Sequence, residues 1–187
     1  MILVTLRSIK IAAAVLIAPI AAIGIHMGVN QMIGNFHEVI PGELYRSGQP
    51  GDAQIDKAAT RYGVKTIINL RNERRGDWYE EEKASAEENG VTLIDFPLSS
   101  GRFVPVEQSE RLAEIMRTAE KPILIHCEHG ANRTGLASAI YVGAVAKRSE
   151  LFSELQLSPY YGHIPIRGIG RYAMYQSWDE FEETIGF

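Results

Sequence analysis

The stretch "KPILIHCEHGANRTGLASAIYVGAVA", residues 121–146, decides the fold. Its first part, "KPILIH", is a short apolar run that predicts a buried strand. Its last part, "GLASAIYVGAVA", predicts an apolar helix. The only cysteine of the chain, Cys127, therefore opens a loop between a strand and a helix, and Arg133 and Thr134 begin that helix.

The loop "CEHGANR", residues 127–133, has the length and composition to bind a phosphate-like anion. Seven residues between a strand and a helix can curl so that successive N–H groups point at one centre, and the positive end of the helix dipole adds to their field. The same field favours a thiolate over a thiol. A thiolate below a bound phosphoryl group is an in-line nucleophile, so the loop predicts phosphate-ester hydrolysis through a cysteinyl-phosphate on Cys127, without a metal.

The other loop residues have predicted roles in the same reaction. Arg133 can donate two hydrogen bonds to phosphoryl oxygens and neutralise charge in the transition state. Thr134 can donate a hydrogen bond from its hydroxyl to the sulfur of Cys127. Gly130 allows the backbone to turn, and Gly135 allows a close approach of the helix. The predicted phosphate-binding set is Glu128, His129, Gly130, Ala131, Asn132, Arg133 and Thr134. The alternative is a buried structural cysteine, which explains neither the glycines nor the C-x5-R-T spacing.

Strands and helices alternate from about residue 35 onwards. The predicted strands are residues 36–40, 43–47, 64–70, 91–98 and 122–127, and the predicted helices are residues 52–63, 77–90, 106–120, 133–147, 149–156 and 168–184. A "PG" turn joins the first two strands, which is typical of a hairpin. The alternation predicts an α/β fold with a central, mostly parallel sheet flanked by helices. Ligands of such sheets bind at the carboxyl ends of the strands, where Cys127 lies.

Charge and composition exclude several classes of protein. The formal net charge of -4 over 187 residues gives no basic surface for a nucleic-acid partner. A single cysteine excludes an internal disulfide. The five histidines are scattered and lack the spacing of a zinc site, so the sequence predicts neither a metal nor a cofactor.

The N-terminal segment "IAAAVLIAPIAAIGIHM", residues 11–27, contains no Asp, Glu, Lys or Arg. A helix of about 17 residues is the shortest that spans a bilayer, and a membrane helix tolerates a proline such as Pro19. Arg7 and Lys10 precede the segment, and the next basic residue is Arg46. The positive-inside rule therefore predicts a cytoplasmic N-terminus and an exported domain.

These observations divide the chain into residues 1–34, a membrane anchor and linker, and residues 35–187, the catalytic domain. The predicted location is the cytoplasmic membrane, crossed once, with the catalytic domain on the periplasmic side. A cleaved signal peptide and a buried core helix are the alternatives for the apolar segment.

"HCEHGANRTG" resembles the H-C-x5-R-[ST] signature of the cysteine-dependent protein tyrosine and dual-specificity phosphatases. Together, "NFHEVIPGELYRSGQP", "GVKTIINLR" and "EKPILIHCEHGANRTG" resemble the atypical dual-specificity phosphatases of bacteria, plants and fungi, here of a membrane-anchored bacterial type. The resemblance covers about residues 35–147. It implies a protein-tyrosine-phosphatase-like fold, Cys127 as the nucleophile, Arg133 as the phosphate-binding arginine and Thr134 as the loop hydroxyl.

Such phosphatases usually carry an aspartate, on a loop before the signature, that protonates the leaving oxygen. The corresponding loop "SSGRFVP", residues 99–105, contains no acid. Asp95 precedes Cys127 at a suitable distance and is the predicted catalytic acid, with a structural carboxylate at a strand edge as the alternative. Without an acid, the enzyme favours good leaving groups such as aryl phosphates.

The loop also carries information on the substrate. The negative charge of Glu128 repels a highly phosphorylated ligand, which favours a single phosphate group. The expected substrates are phosphotyrosine and also phosphoserine or phosphothreonine in proteins. The alternatives are a phospholipid or lipid-linked phosphate, because the anchor holds the domain at a membrane, and a catalytically weak phosphate-binding module. Arg46, Arg71 and Arg102 are candidates to line the cleft, with ordinary surface charge as the alternative.

Overall fold

The computed structural model describes residues 6–71, 76–168 and 171–187, and within these ranges a five-stranded sheet forms the centre of the molecule. The strands are β1 (His37–Ile40), β2 (Leu44–Ser47), β3 (Thr66–Asn69), β4 (Thr92–Asp95) and β5 (Ile123–His126). Their order in the sheet is β1-β2-β5-β3-β4. β1 and β2 are antiparallel, and every other neighbouring pair is parallel. The predicted α/β class and mostly parallel sheet are therefore confirmed.

The α-helices agree with the predicted pattern in their main parts. They are α1 (Leu6–Met32), α2 (Asp52–Tyr62), α3 (Asp77–Glu88), α4 (Val106–Thr118), α5 (Asn132–Ile140), α6 (Glu150–Glu154) and α7 (Tyr172–Ile185). The helix predicted over residues 133–147 continues beyond α5 as a π-helical turn, Tyr141–Val145. α7 begins later than predicted because Gly168 has a φ of +82°, a left-handed conformation that does not belong to a helix. Residues 169 and 170, also in the predicted helix, lie outside the described residues.

The two faces of the sheet are buried in two separate apolar clusters. Ile123 and Ile125 of β5 point into the larger cluster, which α4, α5 and α7 cover, while Leu124 points into the smaller cluster with Ile55 of α2 and Ala86 of α3. This alternation follows from the two-residue period of a strand. Burying a side chain of this size contributes about 1.5–3 kcal/mol. The core therefore holds β5, and with it the start of the loop at Cys127, in a fixed position.

α1 differs from the other helices because its apolar side chains are exposed. Val15, Leu16 and Ile20 are each about 70% exposed. Among the described residues, α1 is the one helix with the length and composition to cross a membrane, over Ala13–Met32. Its C-terminal end contacts the domain: Asn30 donates a hydrogen bond of 2.8 Å to the carbonyl oxygen of Tyr160.

Candidate active site

The loop that joins β5 to α5 lies at the carboxyl end of the central strand. Cys127 follows β5 directly and is 3% exposed, and α5 begins at Asn132. A cavity opens beside this loop. Its lining consists of Met27, Gln31, Ser100, Cys127, Glu128, His129, Ala131, Asn132, Arg133, Gly162 and Arg171. The structure therefore brings both ends of the predicted loop, the thiol and the guanidinium, to one cavity.

Donors outside the loop bind three successive carbonyl oxygens of the loop. These hydrogen bonds are Gln49 N to Glu128 O (3.1 Å), Gln31 Nε2 and Asn35 Nδ2 to His129 O (both 3.0 Å), and Arg46 Nη2 to Gly130 O (2.9 Å). In a trans peptide the N–H points away from the C=O. Outward carbonyls therefore turn the following N–H groups inward, which is the arrangement of an anion-binding nest.

Two glycines make this arrangement sterically accessible. Gly130 has a φ of +70°, and a Cβ atom there would lie 2.6 Å from the backbone nitrogen of Gly48. A Cβ atom at Gly135 would lie 2.8 Å from Cδ2 of Leu157. Any side chain at Gly130 must displace backbone, so the loop depends on this glycine.

Arg133 and Thr134 lie at the first turn of α5, where the sequence predicts them. Nη1 of Arg133 lies 3.4 Å from the carbonyl oxygen of Leu70, and Nη2 lies 3.8 Å from Oε2 of the half-exposed Glu128. The hydroxyl of Thr134 is buried and has no hydrogen-bond partner in the part of the chain that the structure describes. Buried hydroxyls normally have a hydrogen-bond partner. The Thr134 hydroxyl can therefore donate a hydrogen bond to a group such as the predicted Cys127 thiolate.

Asn132 is positioned by a histidine that the sequence did not single out. Nδ1 of the buried His163 lies 2.8 Å from Oδ1 of Asn132. Burial, and then the positive charge of Arg46, lower the pKa of His163 to about 4. His163 is therefore neutral at pH 7 and donates a hydrogen bond to Asn132.

His126, the residue before Cys127, contacts α3. Its Nε2 lies 2.6 Å from Oε1 of Glu82, and both side chains are fully buried. Gln49 donates a hydrogen bond of 3.0 Å to the other oxygen of Glu82 and accepts one of 3.0 Å from Arg71. Sequence reasoning missed Glu82 because it stands in a run of charged residues that reads as an exposed helix face.

Asp95 lies at the end of β4 and does not line the cavity at Cys127. Its carboxylate accepts hydrogen bonds from the hydroxyl of Tyr79 (2.5 Å) and from Nδ2 of Asn69 (3.0 Å). β3 separates β4 from β5 in the sheet. Among the described residues that line the cavity, Glu128 is the one that carries a carboxylate. The structure thus brings Cys127 together with Arg133 but not with Asp95.

Distant segments complete the cavity, and no local pattern in the sequence indicates them. Met27 and Gln31 come from the end of α1, Ser100 from the loop after β4, and Arg171 from the start of α7. Arg46, a candidate for the cleft, is instead fully buried on β2.

Three comparisons relate the chain to known proteins. A family described as "DSP-PTPase phosphatase fused to NAD+ Kinase" matches residues 15–163. The dual specificity protein phosphatase TpbA of Pseudomonas aeruginosa (strain UCBPP-PA14) is 31% identical over 108 residues, which are 57% of this chain and 45% of TpbA. The inositol diphosphatase DSP2 of Oryza sativa subsp. japonica is 32% identical over 131 residues, 66% of this chain and 54% of DSP2. The chain thus spans about half the length of these relatives.

Solved structures show the same fold. The crystal structure of P. aeruginosa TpbA superposes with a TM-score of 0.62 at 24% identity, over 82% of this chain and 92% of TpbA. A second TpbA structure, in complex with pTyr, has the same TM-score at 23% identity, over 81% of this chain and 90% of that one. The structure of PTPMT1 in complex with PI(5)P has a TM-score of 0.61 at 15% identity, over 80% of this chain and 96% of PTPMT1.

Proposed function

Because the chain belongs to the DSP-PTPase phosphatase family, we propose that it is a membrane-anchored phosphatase that hydrolyses phosphate monoesters through Cys127. One observation carries the proposal. Cys127 and Arg133 line one cavity, at opposite ends of a loop whose carbonyl oxygens are bound from outside. This arrangement supports a mechanism in which the Cys127 thiolate is the nucleophile, the Arg133 guanidinium binds two phosphoryl oxygens, and the loop N–H groups donate hydrogen bonds to the same phosphate.

The reaction has two displacement steps. In the first, the Cys127 thiolate attacks phosphorus in line, the S–P bond forms, and the bond from phosphorus to the ester oxygen breaks. Arg133 and the loop N–H groups hold the remaining phosphoryl oxygens. In the second, water attacks phosphorus and loses a proton to solvent, which balances the proton that the departing ester oxygen takes from solvent. Phosphate is released, and Cys127 leaves as the thiolate, which the Thr134 hydroxyl stabilises by a hydrogen bond.

The leaving oxygen decides which esters react well. The contacts of Asp95 with Tyr79 and Asn69 support a structural role for that carboxylate over general-acid catalysis. A phenolic oxygen needs less protonation than an alkyl oxygen. We therefore propose phosphotyrosine as the preferred substrate, with phosphoserine and phosphothreonine turned over more slowly. The TpbA structure in complex with pTyr is consistent with this preference.

The exposed apolar surface of α1 supports the membrane anchor. Exposing side chains such as Val15 and Ile20 to water is unfavourable, whereas a bilayer buries them. Lys10 and Arg7 precede the apolar segment, so the positive-inside rule places the N-terminus in the cytoplasm and the catalytic domain on the periplasmic side.

One observation favours a second substrate class, a phospholipid or lipid-linked phosphate. Met27 and Gln31 line the catalytic cavity and belong to the helix segment that has the composition to cross a membrane. The cavity then lies near the lipid headgroups.

A substrate panel on the full chain in lipid nanodiscs tests these proposals. The panel contains nitrophenyl phosphate, a phosphotyrosine peptide, a phosphoserine peptide and phosphatidylglycerophosphate. We expect fast turnover of the first two and slower turnover of the phosphoserine peptide. Cys127→Ser should turn over none of them but still bind phosphotyrosine, because a serine hydroxyl is not ionised but fills the same space. Substantial turnover by Cys127→Ser contradicts the mechanism. A preference for phosphatidylglycerophosphate indicates that the substrate belongs to the second class, the phospholipids and lipid-linked phosphates.

A further inference from the structure

Arg46 is a buried guanidinium directly behind the catalytic loop. It lies on β2 and is fully buried. Nη2 donates a hydrogen bond of 2.9 Å to the carbonyl oxygen of Gly130. Nη1 donates to the carbonyl oxygen and to Oε1 of Gln156, at 2.9 and 3.0 Å. The guanidinium carbon lies 3.8 Å from the ring centre of Tyr161.

The charge of Arg46 has no compensating carboxylate among the described residues. The titratable groups that face it are His37, Tyr161, His163 and Cys127. Burial, followed by the charge of Arg46, lowers the pKa of both histidines to about 4, and burial raises the pKa of Tyr161, so all three are neutral at pH 7.

Arg46 itself stays protonated at neutral pH. Burial lowers its pKa to about 10, and interactions with Tyr161 and Cys127 act in the opposite direction. An isolated buried cation is unfavourable unless an anion lies close to it. The anions at this site are those of the proposed reaction: the Cys127 thiolate and the phosphate in the cavity.

We propose that Arg46 is a positioning residue that holds the Gly130 carbonyl outward and supplies a fixed positive charge to the Cys127 thiolate and the bound phosphate. The inference rests on the proposed function. It differs from the role of Arg133, which lines the cavity and binds the phosphate directly in the proposed mechanism. The planar guanidinium of Arg46 donates hydrogen bonds to Gly130 and Gln156 at the same time. The ammonium group of a lysine lacks this planar geometry and cannot bridge the two residues in the same way.

Alkylation of the thiol tests the electrostatic part. Cys127 is the only cysteine in the chain, so iodoacetamide incorporation reports on this residue alone. Removing a nearby cation disfavours a thiolate. We expect Arg46→Gln to slow alkylation at pH 7 by about tenfold and Arg46→Lys to slow it less. Arg61→Gln, which removes an exposed arginine of α2, is the control and leaves the alkylation rate unchanged.

Inhibition by inorganic phosphate tests the positioning part in the full chain. We expect Arg46→Lys, which keeps the charge, to weaken phosphate inhibition and nitrophenyl phosphate turnover each by about tenfold. Circular dichroism checks that both variants are folded, and if Arg46→Gln is not, the lysine variant decides. Unchanged inhibition and turnover in Arg46→Lys, or an unchanged alkylation rate in folded Arg46→Gln, overturns the inference. Absence of turnover in the unsubstituted chain contradicts the proposed function instead, so the two failures are distinct.

Discussion

At the scale of single residues, a structural and a catalytic role for Asp95 predict different results. Its carboxylate accepts hydrogen bonds from Tyr79 and Asn69, which link β4 to α3 and β3. We expect Asp95→Asn to destabilise the fold by about 1 kcal/mol, because the bonds lose their charged acceptor. Turnover of aryl and alkyl phosphates should then change by the same factor, measured in parallel with thermal unfolding.

If Asp95 is instead the general acid, its substitution has a selective effect on turnover. A general acid contributes about 10²–10⁴-fold, mainly for poor leaving groups. A selective loss of alkyl phosphate turnover in Asp95→Asn, with loss of one limb of the pH profile, assigns the acid to Asp95 and requires β4 to move toward Cys127.

Glu128 is expected to limit how much negative charge the cavity accepts, because its carboxylate lines the cavity beside Arg133. Its Oε2 lies 3.8 Å from Nη2 of Arg133, where it competes with a phosphate for that cation. We expect Glu128→Gln to strengthen inhibition by inorganic phosphate about threefold and by a bisphosphate more, a modest effect because solvent screens a half-exposed carboxylate. Glu107→Gln, at the start of α4, is the control. Equal inhibition constants for Glu128→Gln and the unsubstituted chain contradict the competition.

At the scale of elements, the loop between β5 and α5 depends on one backbone conformation. Gly130 and Gly63 have nearly the same φ, +70° and +68°, but a Cβ atom would meet backbone 2.6 Å away at Gly130 and nothing within 4 Å at Gly63. We expect Gly63→Ala to cost about 1 kcal/mol in stability and leave turnover intact. Gly130→Ala should lower kcat by at least about a hundredfold, since catalytic groups tolerate little displacement.

The sequence predicts elements that depend on local pattern, and it misses what depends on distant partners. The apolar run before Cys127 and the glycine at position 130 predict the central strand and the turn of the loop, and the structure has both. The strand order, which places β5 between β2 and β3, is a non-local property. In the sequence Glu82 looks like a surface charge and Arg46 like a cleft or surface residue, and only the packed structure shows both to be buried beside the loop.

The C-terminal end of α1 contributes to the cavity. Gln31 donates a hydrogen bond to the carbonyl oxygen of His129 and lines the cavity. We expect Gln31→Ala to raise KM about fivefold, which corresponds to one lost hydrogen bond. Met32→Ala is the matched control, because Met32 is 88% exposed and lies outside the cavity. A KM unchanged in Gln31→Ala shows that Asn35 alone holds this carbonyl.

At the scale of the whole molecule, the orientation in the membrane is open to direct measurement. We expect a reporter fused after Phe187 to be active only in the form that requires export, because the basic residues precede the apolar segment. The full-length chain should sediment with membranes and resist extraction at high pH. Recovery of the intact chain in the soluble cytoplasmic fraction contradicts the anchor.

The connection between α1 and the domain is short, which has a consequence for the proposed membrane-anchored phosphatase. α1 ends at Met32 and β1 begins at His37, and between them Asn35 is buried and bonded to the carbonyl oxygens of His129 and Tyr161. With α1 in a bilayer, this short connection, held by the hydrogen bonds of Asn35, would keep the loop at Cys127 at a fixed distance from the lipid surface. For a chain anchored in this way, we expect the proposed catalytic loop to work only in a thin layer next to the lipid, where substrates arrive by two-dimensional diffusion, and not to reach phosphate esters farther from the membrane.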